Sequence, residues 1–139
     1  MKVSLCGCDG NRLSFDFGGQ LRYVWDPIDK AVSAALYIDA GCFSVRCAEY
    51  IVSMDALHCF AADVKKCAEQ LKGTAEYRPD EVEDLYFSLT MEKGGHARIS
   101  GRFENRDGAL VFSFDTDQSF FGDFFEDLSA LESEVQNQR

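Results

Sequence analysis

Apolar and polar residues alternate along four stretches in the first part of the chain, as they do in strands with one buried face. The stretches are 3–7, 13–17, 31–38 and 43–52. A two-residue Asp-Gly turn would set Leu13 opposite Cys6 and put the apolar rows of the first two strands on opposite faces. A three-residue loop over 9–11 keeps those rows together. It predicts Leu5 opposite Phe15 and Val3 opposite Phe17.

The period then changes to that of a helix. From Ser53, apolar residues recur at i, i+3, i+4 and i+7, which predicts an amphipathic helix over 53–72. Gly73 follows where a helix commonly ends in the left-handed conformation. A second helical stripe predicts a helix over about 118–135, with Phe120 and Phe124 buried.

The second half repeats this plan, with alternation at 85–91, 97–103 and 110–114. A three-residue loop over 93–95 places Leu89 opposite Ile99 and Phe87 opposite Gly101. A four-residue loop over 105–108 places Phe112 opposite the same glycine. Gly101 is therefore predicted between two phenylalanines that cover its bare backbone.

These elements predict an α+β fold, a curved and largely antiparallel sheet built from hairpins with two amphipathic helices, in the order strands, helix, strands, helix. The chain has 139 residues, of which 46% are hydrophobic, and only two are prolines. This length and composition suit one folded domain, and no linker is evident, so we expect residues 1–139 to form a single domain.

The charge narrows the range of partners. Lys and Arg number 14 against 24 Asp and Glu, a formal net charge of −10. Nucleic acid and anionic membranes would be repelled, whereas a cationic partner is allowed. No apolar run approaches the length of a membrane span, and the six cysteines lack the density of a secreted disulfide scaffold. We therefore expect a cytoplasmic protein with free thiols.

Two groups of residues resemble metal sites, but neither matches the ligand pattern that the metal requires. Oxygen-bearing residues over 115–126 match several calcium-ligand positions of an EF-hand loop, but Phe120 stands where that loop needs glycine. Cys6, Cys8, Cys42 and Cys47 lack the paired spacing of structural zinc and are better interpreted as small buried hydrophobes. We expect no metal and no cofactor.

Catalytic residues are not evident either. His58 lies on the polar face of the first predicted helix and His96 follows a hairpin turn, and neither has a nucleophile at a spacing that implies a triad. No phosphate-binding glycine motif is present. The sequence predicts no enzyme.

Several short motifs carry a family resemblance. They are Gly41-Cys42-Phe43, the helix start Ser53-Met54-Asp55-Ala56-Leu57, the strand Leu110-Val111-Phe112-Ser113-Phe114, and Asp117-Gln118-Ser119-Phe120. From about residue 29 to 135 the sequence resembles the WapI-like immunity proteins of bacterial polymorphic-toxin systems. The resemblance implies a non-catalytic protein that binds and neutralises a cognate toxin domain.

Acidic residues gather at 76–84 and along the last 25 positions, where Arg139 is the only base. An acidic inhibitor steered by charge is suited to a toxin with a basic substrate groove. The partner-binding residues predicted on this basis are Glu81, Glu83, Asp84, Asp123, Glu126 and Asp127. The alternative is a small-molecule-binding domain or small enzyme, which a polar pocket containing His96 or a cysteine would favour.

Overall fold

A computed structural model describes residues 1–24, 31–79 and 84–137 of the chain. Within this part the elements, in chain order, are β1 (Lys2–Cys6), β2 (Arg12–Asp16), β3 (Ala31–Ala40), β4 (Phe43–Ser53), α1 (Met54–Gln70), β5 (Thr74–Tyr77), β6 (Leu85–Met91), β7 (His96–Asn105), β8 (Gly108–Asp117) and α2 (Phe121–Asn137). The predicted α+β class is confirmed.

The strands divide between two antiparallel four-stranded sheets, of order β1-β2-β3-β4 and β5-β6-β7-β8. The chain correspondingly forms two compact units. Unit 1 comprises Met1–Met54 and Ser119–Arg139, and unit 2 comprises Asp55–Gln118. Unit 1 therefore contains the first sheet and α2, while unit 2 contains the second sheet and nearly all of α1. The sequence pattern missed β5, because four residues are too few to show a period.

In unit 1 the predicted register of the first hairpin is wrong by two residues. Val3 lies opposite Phe15, and Leu5 lies opposite Leu13. The loop runs over residues 7–11, closed by the Gly7 N–H donating to the Asn11 carbonyl at 2.8 Å. A short 3-10 turn over Cys8–Gly10, in which Asp9 and Gly10 have positive φ of 60° and 78°, lengthens the loop. A shift of two residues keeps both apolar rows on the same face.

In unit 2 the predicted registers are confirmed. Leu89 pairs with Ile99, and Gly101 lies between Phe87 and Phe112. A Cβ on Gly101 would meet the backbone carbonyl of Tyr86 and come within 2.7 Å of both phenylalanines. The β7–β8 loop is shorter than predicted, since Asn105 and Gly108 are themselves paired, and the register is unchanged.

Each unit has an aromatic core. In unit 2, Phe60 of α1 meets Phe87 edge to face at 5.0 Å between ring centroids, and Tyr77 stacks on Phe87 at 4.8 Å. In unit 1, Phe15 stacks on Tyr50 at 5.9 Å, and α2 packs against β1. The inner faces of both sheets are almost fully buried.

The two helices lie close to their predicted bounds, with two local corrections. α1 ends with Leu71, not Gly73, as the first left-handed residue, at φ 56°, and the Lys72 N–H donates to the Cys67 carbonyl at 3.3 Å. α2 is preceded by a 3-10 turn over Gln118–Phe120. This turn leaves Phe120 half-buried, contrary to prediction, whereas Phe124 is buried as predicted.

Candidate partner-binding surface

Three of the predicted binding residues lie in the first turns of α2. The helix buries one stripe of its surface, formed by Phe121, Phe124, Leu128, Leu131 and Val135. Asp123 and Glu126 are exposed and Asp127 is half-buried. Asp123 stands in the first turn, where a carboxylate is favoured by the positive end of the helix dipole. α2 thus presents exposed carboxylates beside a buried apolar stripe.

Asp84 is in a different environment, directly before β6 in unit 2. Its side chain is half-buried, and its Oδ1 is buried with no hydrogen-bond partner among the described residues. Desolvation raises the pKa of Asp84, and the backbone amides of Asp84 and Leu85 oppose this only partly. Glu81 and Glu83 lie outside the described residues. The structure therefore divides the predicted set between two units.

Other acidic residues of the same sequence clusters are neutralised locally. The Glu76 carboxylate accepts a hydrogen bond from the Tyr86 hydroxyl at 3.2 Å and lies 3.6 Å from Arg78. Asp115 forms an ion pair with Arg98 at 3.1 Å. A cluster of negative charge in the sequence therefore overstates the negative charge that these strands offer to a partner.

The segment that resembles an EF-hand loop does not form a loop. Asp115 and Asp117 lie in β8, the next three residues form the 3-10 turn, and α2 follows at once. The side chain of Gln118 from this segment lies against Gly95, where a Cβ would approach its Nε2 within 2.5 Å. Across residues 1–24, 31–79 and 84–137, no group of three His, Cys, Asp or Glu side chains could hold a metal ion.

The cysteines and histidines are dispersed. None of the six cysteines forms a disulfide, and only Cys67 is buried, while Cys6, Cys8 and Cys47 are half-buried and Cys42 and Cys59 are exposed. The interpretation of the first four as small buried hydrophobes is therefore wrong. Cys8 lies in the 3-10 turn and not in a strand, so strand alternation does not bury it. His58 and His96 are both exposed.

A cavity of about 370 Å³ lies in unit 2 and is open to solvent. Its described lining residues are Arg78, Pro79, Leu85 and Tyr86. Neither a histidine nor a cysteine is among them, so this cavity differs from the pocket that would favour a small-molecule or catalytic function.

The structure reveals a cluster that the sequence did not predict, on the outer face of the unit 1 sheet. Apart from Ser14, which is buried, this face carries the less buried residues of the alternating strands. Tyr37 lies there between two cations, with Lys2 Nζ 5.9 Å and Arg46 Cζ 5.7 Å from its ring centroid. We call these three residues the Tyr37 cluster. Ser14 lies beside it in the register, and its hydroxyl is 2.9 Å from that of Ser4.

The unit 2 sheet carries a similar group, formed by Glu76, Arg78 and Tyr86, which we call the Tyr86 cluster. The Arg78 guanidinium carbon lies 5.1 Å from the Tyr86 ring centroid. Arg102 lies opposite Tyr86 in the register and forms an ion pair with Glu104 at 3.0 Å. Strand alternation marks Tyr37 and Tyr86 as outward-facing, but pairing them with cations requires the register.

The architecture and this surface define the class of protein: an α+β chain of two antiparallel four-stranded sheets and two helices, with exposed carboxylates on the last helix. The chain belongs to the WapI-like immunity protein family, whose model matches residues 5–135. No curated protein matches it. Among the described residues, no helix has the length and apolar character needed to cross a membrane.

The fold is also similar to that in a crystal structure of Trypanosoma bruciei MRP1/MRP2. The TM-score is 0.52 at 11% sequence identity, and the match covers 100% of this chain and 87% of the other. At that identity the similarity concerns the fold alone.

Proposed function

We propose that this chain is a non-catalytic, cytoplasmic immunity protein that binds a cognate toxin domain and neutralises it. The observation that carries the proposal is membership of the WapI-like immunity family over residues 5–135. An inhibitor of this kind needs an accessible, rigid surface and no reactive group of its own.

The proposed contact surface is formed by the acidic residues predicted to bind the partner, and that partner is a basic toxin domain. Support comes from α2, where Asp123 and Glu126 are exposed on a helix anchored by a fully packed apolar stripe. Glu81, Glu83, Asp84 and Asp127 complete the proposed set. Carboxylates held on a regular element attract a basic groove from a distance and accelerate association.

The test is co-expression with the toxin domain encoded by the adjacent open reading frame. The wild-type protein is expected to protect the cells and to co-purify with the toxin. Failure of both would reject the immunity function.

The acidic contact is tested separately with Asp123→Lys/Asp127→Lys. The matched control is Asp63→Lys/Glu69→Lys, which changes the net charge equally on exposed positions of α1. The α2 variant should associate more slowly and lose the salt dependence of the association rate, while the α1 variant should keep most of it. Equal effects of the two variants would reject a local contact and leave only a role for net charge.

A further inference from the structure

The two tyrosine clusters differ in whether their cations are already neutralised. In the Tyr86 cluster, Arg78 lies 3.6 Å from the Glu76 carboxylate, and neighbouring Arg102 and Arg98 also have carboxylate partners. In the Tyr37 cluster, neither Lys2 nor Arg46 has a carboxylate within 4.0 Å among the described residues. Both side chains are exposed. The unit 1 face therefore keeps two cations available for an anionic partner.

Two carboxylates on that face, those of Asp16 and Asp39, have hydrogen-bond partners of their own. Asp16 lies opposite Lys2 in the register, but its Oδ1 accepts from the Gly18 N–H at 3.0 Å. Asp39 accepts from Ser44 Oγ at 2.7 Å and pairs with Arg12 at 3.1 Å. Arg46 acts on Asp39 only through a weaker, longer-range attraction. Neither carboxylate therefore forms a close ion pair with Lys2 or Arg46, and both cations can still accept a carboxylate from a partner.

The geometry also limits the cost of binding. Each cation lies within cation–π range of the same ring, and Tyr37 is fixed in the middle of β3 between two paired strands. Side chains held in place before binding lose less conformational entropy when a partner arrives. Tyrosine and arginine are also the residue types enriched at the centres of protein interfaces.

We infer that the Tyr37 cluster is a docking surface for a carboxylate-bearing segment of a protein partner. The cations pair with Asp or Glu side chains of that segment, and the tyrosine ring packs against its apolar atoms. A protein segment is favoured over nucleic acid because the chain carries a net charge of −10, which repels a long polyanion but tolerates a few carboxylates. This inference does not depend on the identity of the toxin.

The probe is a blocked hexapeptide, Ser-Glu-Ser-Ser-Glu-Ser, compared with the same peptide carrying glutamine at both glutamate positions. Each is titrated into the ¹⁵N-labelled full chain near 0.15 M salt, where the Debye length is about 8 Å and long-range repulsion is screened. The glutamate peptide is expected to shift the amide resonances of Lys2, Tyr37 and Arg46, and the glutamine peptide is not. Equal responses to the two peptides would overturn the inference.

Two variants locate the contact. Arg46→Gln and Lys2→Gln should each weaken peptide binding by about two- to five-fold, the range expected for an exposed ion pair. Arg78→Gln, the matched change in the Tyr86 cluster, should leave it unchanged. Equal weakening by Arg46→Gln and Arg78→Gln would contradict the assignment. So would tighter binding of inorganic phosphate or of a single-stranded oligonucleotide at the same resonances, since that would identify a phosphate ligand.

Discussion

The two units share a plan of four antiparallel strands and one helix, but they differ in continuity, since unit 2 is the single segment Asp55–Gln118 whereas unit 1 combines Met1–Met54 with Ser119–Arg139. The helix that follows β1–β4 in sequence belongs to unit 2, and the helix that follows β5–β8 belongs to unit 1. Each helix thus belongs to the unit that does not contain the strands directly before it in the sequence, an arrangement that we call the helix exchange. The first unit is complete only after the last residues are added.

The two units also differ in which of their charged side chains form ion pairs. Unit 2 pairs three of its arginines, Arg78, Arg98 and Arg102, with carboxylates. Unit 1 pairs Arg12 with Asp39, but it leaves Lys2 and Arg46 within cation–π distance of Tyr37 and exposes carboxylates of α2. Similar sheets can therefore carry either a neutralised surface or one with charges available to partners.

The largest effect is expected from separating the helices from their sheets. A fragment of residues 1–72 contains β1–β4 and α1 but lacks α2, whose apolar stripe packs in unit 1. We expect this fragment to show no cooperative thermal transition by circular dichroism, while the full chain unfolds in one transition, as predicted for a single domain. A fragment that melts cooperatively would contradict the helix exchange, and two transitions in the full chain would contradict the single domain.

Within α2, two neighbouring phenylalanines should differ. Phe124 is 1% exposed, and its truncation to alanine should cost about 3–5 kcal/mol of the free energy of unfolding. Phe120 is half-buried in the preceding turn, so the same change there should cost about 1 kcal/mol. Urea denaturation of both variants gives the comparison. Similar losses would show that the 3-10 turn does not set the burial of Phe120.

The sequence predicted unit 2 better than unit 1, and local chemistry explains why. Glycines at 94 and 95 set a short β6–β7 loop, so counting residues from it gave the correct register. In the first hairpin, a non-glycine residue, Asp9, also adopts positive φ, which alternation does not reveal. The alternation of apolar and polar residues therefore predicted the buried face correctly in both hairpins. It predicted the strand pairing correctly only where the turn was recognised.

The sequence pattern could not predict the helix exchange or the Tyr37 cluster, for a different reason. An amphipathic stripe shows that a helix is covered, but it does not show which sheet covers it. Likewise, Lys2, Tyr37 and Arg46 come from three strands and meet only through the register of the sheet. Such features depend on contacts between residues distant in sequence.

One glycine in each unit offers a matched test of packing. At Gly101 in unit 2 a methyl group would meet the Tyr86 carbonyl, the Phe112 ring and the Phe87 Cβ, so Gly101→Ala should destabilise the protein by about 1–3 kcal/mol. At Gly122 in α2 nothing lies within 4 Å of an added Cβ, and Gly122→Ala should stabilise it by up to about 1 kcal/mol. Denaturant midpoints measure both. The same sign at both positions would contradict the packing around Gly101.

Two aspartates should give opposite pH dependences. The Ser44 hydrogen bond, followed by the Arg12 contacts, lowers the pKa of Asp39, so its stabilising contribution exists above pH 3.8 and is lost on acidification through the lowered pKa. Desolvation raises the pKa of Asp84, so stability falls as pH rises from 3.8 through the raised pKa. The free energy of unfolding is measured between pH 3 and 7 for Asp39→Asn and Asp84→Asn.

Relative to the wild type, Asp39→Asn should lose stability as the pH rises, and Asp84→Asn should gain it. The Asp39 difference should stay below about 1 kcal/mol, because solvent screens a side chain that is 36% exposed. The Asp84 difference has the opposite sign because its Oδ1 is buried without a hydrogen-bond partner among the described residues. Parallel curves for the two variants would show that the two environments do not differ.

The smallest effect is expected from reductant. The six thiols are free, so reductant should leave the melting temperature of the full chain unchanged. Burial, followed by the charge of Asp63, raises the pKa of Cys67 and disfavours its thiolate, whereas Cys42 and Cys59 are exposed. Mass spectrometry after brief alkylation should therefore find Cys42 in unit 1 and Cys59 in unit 2 modified before Cys67. A lower melting temperature in reductant would reveal a disulfide, and early labelling of Cys67 would show that α1 is less tightly packed in unit 2 than its burial indicates.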